Sequence, residues 1–139
     1  HSLVGSEMCI RDSGETAKEL LEKIKIDCEQ NQEMSKMIAL ASNTLDFILE
    51  KRDDAEMLSC ISFDYMMGFG YLIGGWLMHK GKVKAKLKLS EKSQNDNFLK
   101  SKIISAEFFD FHILPRVESH FKIVTKGATI VQLTDDSFV

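Results

Sequence analysis

Tyr65-Met-Met-Gly-Phe-Gly-Tyr-Leu-Ile-Gly-Gly-Trp-Leu-Met78 carries no charged residue from end to end. It lies inside a longer segment, Ala55 to at least Lys80, in which Leu58, Ile61, Tyr65, Phe69, Leu72, Trp76 and His79 recur in steps of three and four. That spacing places them on one face of a helix. The central run is apolar nearly all round, which predicts a helix buried on most sides. Gly68, Gly70, Gly74 and Gly75 interrupt it, and each glycine costs a helix roughly 1 kcal/mol relative to alanine. Four of them need a packing reason, and the expected one is another helix approaching closely across a strip without side chains. Small residues at such spacing also join transmembrane helices. A span needs about 20 apolar residues, however, and Asp64 and Lys80 bracket this run too closely. The reading is a buried helix and no membrane span.

Working outward, Glu15 to Lys51 reads as helix. Ala17, Leu21, Ile24, Cys28, Met34, Ile38, Ala41, Leu45 and Ile48 form one apolar face, which Asn31 interrupts; there the helix bends or two helices meet. Arg52-Asp53-Asp54 is a break, with Asp53 or Asp54 able to cap the next helix by accepting from its free N–H groups. Beyond Lys80, lysines alternate with Val83, Ala85, Leu87 and Leu89. The period of two would suit a strand, but no partner strand is visible, so a frayed helix end and a loop are expected. Asn95 or Asp96 can cap a further helix, Asn97 to Lys126, kinked near Phe111 to Leu114 by Pro115 and stopped by Gly127. The fold class is all-α, a bundle of three or four long helices.

The first residues stand apart. Leu3 to Ser13 resembles, in one reading frame, the translation of a transposase adaptor used in sequencing libraries, so residues 1–13 are expected to be non-native and residues 14–139 to form one helical domain. Native sequence would then begin at an arbitrary cut, and the chain would be a C-terminal fragment of a larger protein.

The formal net charge of −3 implies no bulk attraction to nucleic acid, and the lysine run lacks the interleaved aromatics of a single-strand binder. Cys28 and Cys60 have no CxxC spacing; both are expected to pack as small hydrophobes in a reducing, cytoplasmic setting. His79, His112 and His120 show no zinc spacing. His112, among Phe108, Phe109 and Phe111, is read as a packing residue. No nucleophile motif or phosphate-binding loop occurs, since Gly68-x-Gly70 lies within a helix rather than between strand and helix. Neither catalytic, cofactor-binding nor metal-binding residues are expected here.

Two segments resemble a known family. Tyr65 to Met78 matches a pattern of an aromatic, a hydrophobic run with Phe-Gly, then Gly-Gly-Trp. Phe98 to Pro115 is similar to the same family's following helix, which ends in His-x-Leu-Pro and here reads His112-Ile-Leu-Pro115. The family is the C-terminal domain of the long acyl-CoA dehydrogenases, including 3-methylmercaptopropionyl-CoA dehydrogenase. Where that family continues in alanine-rich helix, this chain has Lys82 to Lys92. The resemblance implies a parent flavoenzyme in which FAD accepts a hydride from the β-carbon of an acyl-CoA while a carboxylate removes the α-proton. Base and flavin site would lie upstream, leaving the fragment inactive and without FAD. Its partners would be the missing dehydrogenase body and a second subunit. The implied docking surface is Gly68, Phe69, Leu72, Gly74, Gly75 and Trp76. The alternative is a free-standing helical protein-interaction module.

Overall fold

The computed structural model describes residues 14–91 and 95–137, with side chains through Gly127. Among these residues are five helices: α1 (Glu15–Asp27), α2 (Gln32–Glu50), α3 (Ala55–Ser90), α4 (Asp96–His112) and α5 (Pro115–Ser137). The expected all-α bundle is what forms. The adaptor-like stretch, Leu3 to Ser13, lies outside the described residues.

Local chemistry sets most of the boundaries. α1 begins after Gly14, whose φ of 77° falls in the left-handed region that favours glycine. At the interruption two helices meet: Asn31 is extended, and its side-chain oxygen accepts from the Met34 amide at 3.1 Å, capping α2. Asp54 caps α3 in the same way, accepting from Met57 N–H at 3.0 Å.

α3 is the axis of the bundle. Its 36 residues span about 54 Å at the usual helical rise. α4 and α5 run back along it, α4 beside its C-terminal half and α5 beside its N-terminal half. The α1–α2 hairpin covers the remaining inner side, with α2 packed on both α3 and α5. Ile24, Met34, Ile48, Ile61, Leu72 and Val124 are almost fully enclosed where these layers meet.

Four local expectations are corrected. The lysine run is neither frayed nor looped, because α3 continues to Ser90. On a helix the apparent alternation dissolves: Ala85 is buried and Leu89, one turn on, is half-buried, while Lys84, Lys86 and Lys88 stay in solvent. Pro115 does more than kink. It takes the first position of a new helix, where its missing N–H costs nothing, and the chain breaks at Ile113–Leu114. Gly127 does not stop that helix, which runs on to Ser137. A Cβ at Gly127 would sit 3.3 Å from Ile61 Cγ2, so the glycine serves close packing on α3. Finally, α3 is not buried on most sides. Phe63 is 63% exposed and Leu77, beside a groove it shares with α4, is 58% exposed.

Candidate functional site

The six residues expected to form a docking surface are placed mainly inward. Gly68, Phe69, Leu72 and Gly75 are buried within this chain. A Cβ on Gly68 would strike the Phe121 ring. One on Gly74 would meet Phe109 Cζ at 3.0 Å, and one on Gly75 would meet Met34 Sδ at 2.7 Å and Leu114 Cδ1 at 3.0 Å. The helix that approaches the smooth strip is therefore the chain's own α4–α5 arm, with α2 closing over Gly75. The surface those four residues were expected to offer is filled from within. Trp76, at the edge, donates from Nε1 to Asp27 Oδ2 at 2.9 Å and lies under the Lys23 and Lys80 ammonium groups. It pins α3 to the end of α1.

A polar cleft of about 430 Å³ opens where the start of α2 meets α3 and α4. Asn31 organises it. While its oxygen caps α2, its Nδ2 donates to Asp110 Oδ2 at 3.1 Å and stands 3.4 Å from His79 Nδ1. His79, carried inward by the apolar stripe of α3, is only 8% exposed. Burial pushes the Asp110 carboxyl above the ordinary carboxylate value, against the Asn31 hydrogen bond and the opposing electrostatic pull of Lys82 and His79, with Glu33 adding to the rise. Lys82 also reaches Glu107 at 3.6 Å across the α3–α4 seam. The buried Cys28 thiol is pushed up to about 11, first by desolvation and then by Asp27 and Asp110, so it remains protonated at neutral pH. Cys60, expected to pack, is exposed instead. It sits on the solvent side of a turn of α3 whose other side, at Ile61, packs against Gly127 of α5.

A second polar contact ties α3 to α5. His120 Nδ1 lies 2.8 Å from Asp64 Oδ1, both side chains mostly buried. The His120 ring stacks on Tyr71 at 5.7 Å, and Arg116 sits over that same Tyr71 ring and donates to its hydroxyl at 3.4 Å. His112, read as a packing residue, stays exposed and stacks on Phe108 at 4.4 Å. Among the described residues, no group of three or more His, Cys, Asp or Glu side chains could hold a metal ion. No helix there is long and apolar enough to cross a membrane.

Asn31, His79 and Asp110 form a constellation that sequence reasoning did not assemble. The signals were Asn31 interrupting an apolar face and His79 occupying one. Nothing in the spacing says that Asp110, 79 positions from Asn31, completes the group.

These contacts define a helical packing domain whose polar groups act as crosslinks between helices. The family model described as "Acetyl-CoA dehydrogenase C-terminal like" matches residues 15–134, and the chain belongs to that family. Comparison with curated proteins and with solved structures finds no match for it. The described residues do not fit the flavin dinucleotide that the resemblance implies for a parent enzyme. The polar cleft does lie at a helix N-terminus, where a pyrophosphate would be drawn. Glu33, Glu107 and Asp110 line it, however, and offset Lys82 and Lys86, so the cleft offers an anion no net positive charge.

Proposed function

We propose that this chain is the C-terminal helical domain of an FAD-dependent acyl-CoA dehydrogenase of the 3-methylmercaptopropionyl-CoA dehydrogenase type, separated from its catalytic body. The family match over residues 15–134 is the observation that supports the reading. On it, residues 1–13 are adaptor-derived and native sequence begins at Gly14. The flavin, the acyl-CoA and the catalytic base belong to the upstream body, and the setting is cytoplasmic. This domain supplies packing surface to that body and to a second subunit. Alone it neither binds FAD nor turns over an acyl-CoA.

Reading the locus from unfragmented DNA tests this directly. A dehydrogenase body in frame ahead of Gly14, in place of the adaptor-like stretch, is the expected result. A start codon close to Gly14 would overturn the reading. Titrating the purified chain into FAD should leave flavin fluorescence unchanged; saturable quenching would place a flavin site here after all.

A further inference from the structure

One side of α3 is largely uncovered by the described helices, α4 bordering it only along a groove at Leu77 and Gly81, and its residues are patterned. Phe63, Met66 and Leu77 are exposed there, with Ile73 half-buried between them. Positions 63, 66, 70, 73 and 77 follow the alternating three-and-four spacing of a coiled-coil seam. At its centre is Gly70, and Gly81 lies further along. A Cβ at either would meet no atom within 4 Å, in contrast to Gly68, Gly74 and Gly75. Each of these glycines weakens the helix, and no packing within the described chain accounts for the loss. A bare backbone at the middle of an apolar seam permits a second helix to come close.

The flanking charges identify that helix. Glu56 lies two heptads before Gly70 and Lys84 two heptads after it, both exposed on the same side. Phe63 and Leu77 stand one heptad before and after. Turning α3 end for end about Gly70 therefore lays Phe63 on Leu77, Glu56 beside Lys84, and Gly70 on Gly70. A parallel copy would oppose Glu56 to Glu56 and Lys84 to Lys84. We infer that this face binds a second copy of the chain, α3 against α3 in antiparallel order, with Gly70 on the two-fold axis. The inference gives the second subunit of the proposed function a definite face, but it rests on the exposed face alone and holds whatever precedes Gly14.

The test is sedimentation equilibrium of the full 139-residue chain over a wide range of concentration, with helicity checked by circular dichroism. A reversible dimer is expected. Gly70→Asp, which puts like charges together at the axis, should weaken it at least tenfold. Lys84→Glu alone should weaken it several-fold, and adding Glu56→Lys should restore it. These last two changes are at exposed positions and leave the fold intact, so the rescue remains readable if Gly70→Asp perturbs the helix. With Cys9→Ser and Cys60→Ser as background and Cys28 buried, oxidising a mixture of Phe63→Cys and Leu77→Cys chains should link unlike partners, whereas a parallel pair would link like ones. A chain that stays monomeric throughout leaves the face to another occupant, such as an upstream body, and overturns the proposal. So does a dimer indifferent to Gly70→Asp and to the charge reversals. Neither result bears on the upstream sequence, so this inference and the family reading fail separately.

Discussion

On the inner side of α3, Gly68, Gly74 and Gly75 each face an atom of a neighbouring helix, whereas on the outer side Gly70 and Gly81 face open space. Residue type and local spacing are nearly the same on the two sides. What differs is what lies across from them. Inside, the missing Cβ lets Phe121, Phe109 and Met34 sit against backbone, and the apolar neighbours Phe69 and Leu72 are buried. Outside, Phe63 and Leu77 remain in contact with solvent. A glycine within a helix is therefore interpretable only through its opposite surface, and one helix can present a finished interface and an open one at once.

The largest expected effect comes from truncating one leucine on each side. Leu72 is fully enclosed, and Leu72→Ala should cost about 3 kcal/mol, within the usual span for a buried leucine. Leu77 is 58% exposed, and Leu77→Ala should cost less than about 1 kcal/mol in dilute solution. Urea unfolding of both variants measures the difference. Equal losses would break the distinction between the two sides. Repeating the comparison at high protein concentration sharpens it: the Leu77→Ala loss should grow as dimer forms, by mass action, while the Leu72→Ala loss should not.

Glycine to alanine is a smaller test with opposite signs. At Gly68 the added methyl strikes the Phe121 ring, which packs edge-on against Phe69 at 5.4 Å and cannot move freely. Overpacking costs about 1–3 kcal/mol and outweighs the gain in helix propensity, so Gly68→Ala should destabilise. At Gly70 nothing is displaced, and Gly70→Ala should stabilise the monomer by up to about 1 kcal/mol. Thermal melts of dilute samples check the signs. A stabilised Gly68→Ala would mean that the inner seam is looser than its geometry.

Much of this architecture could be read from residue order. The stripe from Ala17 to Ile48 is buried as its spacing implies, Asp54 caps α3, and Pro115 marks a true break. What stayed hidden depended on contacts distant in sequence. Period and propensity give opposite answers for Lys82 to Ser90, and Ala85 resolves them only by burying itself when α4 arrives. Gly127 has the local signature of a stop, overridden because Ile61 of α3 fits against it. Positions 68 and 75 share one glycine-bearing strip of α3, and positions 70 and 77 mark another. Spacing alone cannot say which faces inward. Cys60 was misplaced for the same reason. The Asn31–Asp110 bond joins the start of α2 to the end of α4, and no local motif encodes such a pair.

That bond supplies the smallest and most specific test of the inner side, because it holds a carboxylate whose ionised form the fold disfavours. Burial raises the Asp110 value above the unfolded 3.8. The sign follows from linkage: the folded chain binds the proton more tightly than the unfolded chain, so stability rises as pH falls through the raised value toward 3.8. Above the raised value the charge is present and its desolvation counts fully against folding. Asp110→Asn keeps an acceptor for Asn31 Nδ2 and removes the charge. It also gives up the attraction to Lys82 and His79, which partly counters burial without reversing it. The variant should therefore equal or slightly exceed the parent in melting temperature at neutral pH, and lose that margin as the medium is acidified toward the unfolded value. Melting curves of both proteins across that range decide it. A variant clearly less stable at neutral pH, with the gap closing in acid, would show that the charge itself holds α2 to α4. The polar end of the inner seam would then be an ion pair in effect rather than a tolerated cost of burying α3.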